Sequence, residues 1–233
     1  MRITAVVPAL NAGRHVGASI ETLAGADEII VVDGGSSDST GAVARHGGAR
    51  LVNAARGRGS QLAAGAAAAN GDALLFVHAD TRLSPGWPEH ARAHLAHSAR
   101  PACFRFRLDD EAWQARILER GVALRTRLLG LPYGDQGLLV RRDVYEQAGG
   151  YRPLALMEDV EILRRVGRPV MLPADAVTSA ERWRREGWVR RSLRNLLCLA
   201  LWQAGVSPDR LAAFYDRRRP ASPSPAGRAF PVE

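Results

Sequence analysis

The chain has 233 residues, enough for one α/β domain with a real core and a short appendage. Its 32 basic side chains are all arginine, and the net charge of +8 favours anionic partners such as nucleotide phosphates, acidic lipid or nucleic acid. No apolar run approaches the roughly 20 residues that span a bilayer, and Cys103 and Cys198 have no metal-ligand spacing, so they read as buried free thiols in a reducing compartment.

Ile3 to Val7 reads as a first buried strand, ending at the turn Pro8-Ala9-Leu10-Asn11, whose backbone groups are free to meet a ligand. A helix is expected from Arg14 to Leu23. Glu28 to Val32 is a second strand that ends at Asp33. The loop Gly34-Gly35-Ser36-Ser37-Asp38-Ser39-Thr40 follows, suited either to capping the next helix or to close backbone approach. It is not a P-loop, because no Gly-Lys-Ser/Thr follows. Arg50 to Asn53 is a short third strand. Arg56-Gly57-Arg58-Gly59-Ser60-Gln61 leads into an Ala-rich helix, Leu62 to Ala69; its arginines can reach a diphosphate or stay solvated.

Leu74-Leu75-Phe76-Val77 is an unbroken apolar run, suited to a strand buried on both faces. It stops at His78-Ala79-Asp80-Thr81. In open α/β sheets ligands sit just beyond the carboxyl ends of the strands. An Asp at such a tip needs a cation, donors or water. A divalent metal holding a phosphate is one solution, and a cap or turn contact is the other. Four alternations of strand and helix predict βαβ units and a mostly parallel sheet.

Ser84-Pro85 opens a helix carrying His90, His94 and His97, read as a polar face because no carboxylate motif accompanies them. Ala102 to Leu108 is expected as an edge-like strand. A helix from Glu111 to Leu129, the loop Leu131 to Gly137, a strand Leu138 to Val140 and a short helix from Arg141 follow. Glu158, Asp159 and Glu161 at a helix start suit the macrodipole, and they also point Asp159 towards the ligand edge. Pro169 to Leu172 is expected as the last strand, with a final helix from Pro208 to Tyr215. From Arg217 the chain lacks periodicity and is expected to be disordered.

Taken in order, Val7-Pro8-Ala9-Leu10-Asn11, Val32-Asp33-Gly34-Gly35-Ser36-Ser37-Asp38-Ser39-Thr40, the acidic tip at Asp80 and Glu158-Asp159 resemble the family 2 glycosyltransferases of the GT-A fold. His78-Ala79-Asp80-Thr81, Gly134-Asp135-Gln136-Gly137 and Met157-Glu158-Asp159-Val160-Glu161 resemble one bacterial subgroup. The resemblance implies a Rossmann-like, mostly parallel sheet with helices on both faces, over residues 1–185. A C-terminal helical appendage, 186–216, and a tail, 217–233, complete the chain. It implies that Pro8, Ala9, Leu10 and Asn11 line base and ribose, and that Asp33 accepts from them. Arg58, Gln61, His78 and Ala79 complete the nucleotide-sugar site. Asp80 would hold Mg²⁺ or Mn²⁺, Asp159 would be the general base with Glu158 in support, and Asp135 and Gln136 would hold donor or acceptor sugar or form a structural turn. Departures are visible: His78 replaces the first acid of the Asp-x-Asp motif, Ala12 follows Asn11 where Glu is usual, and all six histidines precede position 98, so no late metal-binding His exists.

The implied reaction moves a sugar from a nucleoside-diphosphate donor to an acceptor hydroxyl, with inversion. A sugar-nucleotide pyrophosphorylase would show a Gly-rich basic loop after the first strand, which Pro8 to Asn11 is not. A phosphatase with an Asp nucleophile would need Asp where His78 stands. A non-catalytic nucleotide-binding or nucleic-acid-binding module is the third reading, but aromatics do not cluster among the core arginines, so no nucleic-acid partner is expected. The expected location is the cytoplasm, or the inner face of the plasma membrane. Arg182, Arg190, Arg191 and Arg194 with Trp and Leu suit an anionic lipid interface and a lipid-linked acceptor, while Leu196 to Trp202, apolar nearly all round, reads as core or homodimer contact.

Overall fold

The computed structural model describes residues 1–216, so the expected tail lies outside the described residues. The elements in order are β1 (Ile3–Ala9), α1 (Val16–Thr22), β2 (Glu28–Asp33), α2 (Thr40–His46), β3 (Arg50–Asn53), α3 (Arg58–Ala68), β4 (Ala73–Phe76), β5 (Thr81–Leu83) and α4 (Trp87–His97). There follow β6 (Ala102–Leu108), α5 (Trp113–Leu129), a 3₁₀ turn (Gly134–Gln136), β7 (Leu138–Arg141), α6 (Arg142–Gln147), α7 (Glu158–Val166), β8 (Val170–Thr178), α8 (Glu181–Glu186), α9 (Trp188–Gln203) and α10 (Pro208–Asp216).

The strands form one eight-stranded sheet in the order β3-β2-β1-β4-β7-β6-β8-β5. β1, β2, β3 and β4 run parallel, as do β6 and β8; β7 is antiparallel to both its neighbours, and β5 is antiparallel to β8. Helices cover both faces, and alternation along the strands divides the core accordingly. Ile3, Ala5, Val7 and Leu75 pack with Val16, Ile20, Trp87 and Phe104 on one face. Val6, Val32, Leu74 and Phe76 pack with Leu62, Tyr145, Tyr151 and Ile162 on the other. The run Leu74 to Phe76 is therefore buried from both sides, as its composition requires.

Three expectations are corrected. Ala102 to Leu108 is an interior strand, paired with both β7 and β8. The last strand extends to Thr178 rather than Leu172: Leu172, Ala174, Ala176 and Thr178 alternate inward, but small side chains make that alternation faint in the sequence. The helix expected from Leu62 starts at Arg58, so Arg58 and Gln61 lie in its first turn. The boundary expected between 185 and 186 falls at the end of α8, where Trp183 and Trp188 stack at 6.0 Å across it.

Gly65 lets α3 lie close on the sheet: a Cβ there would stand 2.3 Å from Val6 Cγ1 and 2.8 Å from Val32 Cγ2. Gly65→Ala is expected to lower the unfolding free energy by about 1–3 kcal/mol, the usual cost of overpacking. Denaturant unfolding measures it, and an unchanged midpoint would show that α3 is free to lift.

Candidate active site

The ends of β1 and β2 are held together by their own loops. Asn11 adopts a left-handed backbone, φ 50°, which Asn tolerates better than most residues. Its amide N–H donates to Ser36 Oγ at 2.9 Å, and its side-chain oxygen accepts from Ser37 N–H at 2.9 Å. Asp33 accepts from the Ser36 N–H at 3.0 Å and hydroxyl at 2.6 Å. Pro8 and Leu10 are half-buried and Asn11 is exposed, so the segment is a shelf along the sheet edge. Ala9 and Ala79 have buried side chains, leaving only their backbone to meet a ligand.

Next to this shelf the ends of β4 and α7 meet. His78 and Asp80 follow β4 in sequence. Asp159 Oδ2 lies 3.9 Å from His78 Nε2 and accepts from Gly134 N–H at 3.0 Å. Gly134 lets these side chains approach, since a Cβ there would fall 2.4 Å from both Asp159 Oδ2 and His78 Nε2 and displace them. Glu158, only 2% exposed, pairs with Arg58 at 3.0 Å, and Arg58 lies 4.0 Å from Asp159. Asp80 faces Arg182 of α8 at 3.5 Å. The Asp135 carboxyl is enclosed, with Oδ1 unpaired, and its carbonyl accepts from the Thr178 hydroxyl at 3.2 Å.

Burial and like charge set the protonation states. Burial, with the adjacent Glu158 adding to it, pushes Asp159 up to about 7 against the opposing pull of Arg58 and the Gly134 N–H. Asp135 also moves up, chiefly by burial. For Asp80 burial works the other way from its neighbours, and Arg182 and Arg58 outweigh it, so its pKa falls and it is ionised. Burial and the nearby Arg58 drive His78 down to about 3, leaving a neutral imidazole whose Nε2 has no hydrogen-bond partner. Burial disfavours the Arg58 charge, but Glu158 and Asp159 outweigh it and raise its pKa.

A divalent cation can be accommodated only in an open way. Among the described residues no three His, Cys, Asp or Glu side chains converge on one point. Asp80 supplies one ionised, hard oxygen, the donor type that suits Mg²⁺ or Mn²⁺. A diphosphate and water would have to provide the other ligands, and Arg182 would have to yield its place.

Two expected site residues have side-chain amides taken up by the scaffold. The Gln61 side-chain amide donates to the carbonyls of Ala9 at 2.7 Å and Val32 at 2.8 Å, so it ties β1 to β2 from beneath. Gln136 is wholly buried, donates to the Phe104 carbonyl at 3.1 Å and accepts from Thr126 Oγ1 at 3.0 Å. Both amides serve the scaffold, because a buried amide must be satisfied internally. Arg182 and Gly134 were not singled out as site residues from the sequence. The signal for Arg182 was its place four residues past the true end of β8, hidden by the small residues of that strand.

A family model described as Glycosyl transferase family 2 matches residues 4–148. No curated protein matches the chain. Among solved structures, a mycobacterial protein superposes with TM-score 0.53 at 22% identity over 76% of this chain and 65% of its own, so the present chain spans just under two thirds of that length. Glucosyl-3-phosphoglycerate synthase from Mycobacterium tuberculosis, in complex with Mg²⁺ and uridine diphosphate, gives 0.52 at 22% identity over 76% of this chain and 69% of its own. TarS 1-349 from S. aureus gives 0.60 at 16% identity over 93% of this chain and 71% of its own. At these identities the likeness is one of fold.

Arg58→Met leaves the buried Glu158 charge without its partner. A loss of about 2 kcal/mol in unfolding free energy is expected, less than for a fully buried pair because the guanidinium is partly solvated. Asp159 should then ionise at a higher pH, since the cation opposing its burial is gone. Denaturant unfolding and a pH titration of the variant measure both; an unchanged stability would mean that Arg58 does not carry the Glu158 charge.

Proposed function

The chain belongs to glycosyl transferase family 2, and from that premise we propose that it transfers a sugar from a nucleoside-diphosphate sugar to an acceptor hydroxyl with inversion. Its architecture is the GT-A arrangement that the motifs implied, a mostly parallel sheet flanked by helices. The observation that carries the proposal is Asp159: a carboxyl at the ligand edge of the sheet, held at one oxygen by Gly134 N–H, with a pKa near neutrality. A general base works best when its pKa lies near the operating pH.

In this reading the nucleoside lies on the shelf Pro8 to Asn11, with Asp33 beside it, and the diphosphate lies over Asp80. Breaking the sugar–phosphate bond builds negative charge on the leaving nucleoside diphosphate. Arg58 and Arg182, both near Asp80, stabilise that charge, Arg182 turning from Asp80 to the phosphate oxygens. A divalent ion on Asp80 would add Lewis-acid stabilisation of the same oxygens. The Mg²⁺ and uridine diphosphate bound to the M. tuberculosis synthase make that pair the first to test. The acceptor hydroxyl approaches from the side of Asp159, whose Oδ1 takes the proton as the new bond forms. One displacement with one base inverts the anomeric centre. Glu158 acts indirectly: its charge anchors Arg58 and raises the Asp159 pKa. Asp135 keeps its proposed role of meeting a donor- or acceptor-sugar hydroxyl, which requires its enclosed Oδ1 to be opened to the substrate. The bacterial subgroup suggested by the His-Ala-Asp-Thr and Gly-Asp-Gln-Gly motifs belongs to this proposal, as does the division into a transferase domain, 1–185, and a helical appendage.

Asp159→Asn is expected to lower turnover by about two to four powers of ten while donor affinity stays nearly constant. In the native protein the rate should rise with pH through about 7, because protonated Asp159 cannot accept the acceptor proton. Steady-state kinetics with a donor found by screening UDP-, GDP- and dTDP-sugars tests both; an active Asp159→Asn beside a dead Glu158→Gln would reverse the assignment.

Asp80→Ala is expected to abolish Mg²⁺- or Mn²⁺-dependent binding of the nucleoside diphosphate, read by calorimetry, with the fold retained. Full binding and turnover in EDTA would instead assign charge stabilisation to Arg58 and Arg182 alone.

A further inference from the structure

Two helices carry apolar residues on the side facing away from the core. In α5, Ala115, Glu119, Val122 and Thr126 face inward, while Trp113, Ile117, Leu124 and Leu128 lie on the opposite side, 68%, 56%, 59% and 65% exposed. In α9, Cys198 and Leu199 are buried, while Val189, Leu193 and Leu196 are 71%, 61% and 55% exposed. The run from Leu196 to Trp202, expected as core or dimer contact, is thus split between core and solvent. The two helices belong to one module, because Ala115 and Val122 share a buried cluster with Trp183, and Trp188 packs against it. Nothing among the described residues covers either stripe. An exposed apolar stripe on each of two helices that share one buried cluster marks an interaction site.

Charge selects the partner. Residues 113–129 hold four arginines and one glutamate, and residues 181–203 hold six arginines and two glutamates, so most of the net charge of +8 sits on these stretches. Arg120, Arg127, Arg185 and Arg190 are exposed. Arg191 and Arg194, expected at a lipid surface, are not available to it: both pair with Glu186, and they stack over Trp183 and Tyr215. A second copy would bring two basic faces together, whereas an anionic bilayer matches the charge and takes up the apolar side chains. We propose that the outward faces of α5 and α9 dock on an anionic lipid surface. No helix among the described residues is long and apolar enough to cross a membrane, so the contact is interfacial. It bears on the active site, because Arg125 of α5 stacks 3.7 Å over Tyr133 and donates to the Leu131 carbonyl at 3.0 Å, holding the segment that carries Gly134 and Asp135.

Flotation of the full chain with phosphatidylglycerol-containing and pure phosphatidylcholine vesicles tests the proposal. Binding is expected to the anionic vesicles only, to weaken with salt, and to shift Trp113 emission to the blue. Leu124→Ser, Leu128→Ser and Leu193→Ser should each weaken binding roughly tenfold, as burial of one such side chain predicts. Joint Arg120→Gln, Arg127→Gln and Arg190→Gln substitution should abolish it without touching a buried side chain, which keeps the test valid if the leucine variants misfold. Absence of flotation on anionic vesicles at low salt would overturn the proposal, as would a stable dimer that the same leucine substitutions disperse.

Discussion

Carboxylates crowd the end of a sheet whose core excludes water, and the arginines facing them set their protonation. Asp80, Asp135, Glu158 and Asp159 cannot all be ionised in so small a volume without partners. Arg58 neutralises Glu158, and Arg182 faces Asp80. Asp159 has Arg58 only at 4.0 Å, Asp135 is opposed mainly by Arg125, and burial outweighs these cations and lifts both. The result is a site in which Asp80 is held low while Asp159 is lifted to about 7. Separating the pKa values of adjacent acids in this way is what acid–base chemistry requires.

Arg58 reaches this position because of how α3 begins. Gly57, at φ 138°, turns the chain into the helix, and a Cβ at Gly59 would meet the Arg152 carbonyl at 2.2 Å. Gln61, one turn on, is locked to the carbonyls of Ala9 and Val32. The start of α3 is therefore fixed both to the sheet beneath it and to the segment before α7, which brings Arg58 onto Glu158. Across the cleft, α8 closes the other side: Arg182 faces Asp80, and Glu181 lies 3.3 Å from His15 at the end of the first loop. Residues widely separated along the chain thus share one electrostatic cluster.

The C-terminal helices connect this cluster to the outer surface. Trp183 and Trp188 stack where α8 gives way to α9, and Glu186 gathers Arg191 and Arg194. The inward faces of α5 and α9 are committed to the core, and their outward faces are as apolar as a second partner would need. Helix α5 serves both ends of this arrangement, since its last turns grip Tyr133 and Gln136 while its opposite side lies open.

Sequence alone determined the sheet's parallel half and its central strand, and it marked the strand ends that carry the candidate site. Those features depend on local composition: Leu74 to Phe76 is apolar throughout, Pro8 to Asn11 and Asp33 punctuate the strands, and Glu158-Asp159 opens a helix. Sequence did not distinguish a polar residue that meets a ligand from one that holds the scaffold. Gln61 and Gln136 sit at the expected places in the chain, yet their amides face inward, a direction set by the register of α3 and by the packing of α5 against the 3₁₀ turn. The full length of β8 and the site position of Arg182 were likewise decided by pairing with β6, because Ala174 and Ala176 are too small to announce a strand. Local periodicity reports which face of an element is apolar. Which charges come together, and therefore which acid keeps its proton, depends on distances that only the tertiary structure fixes.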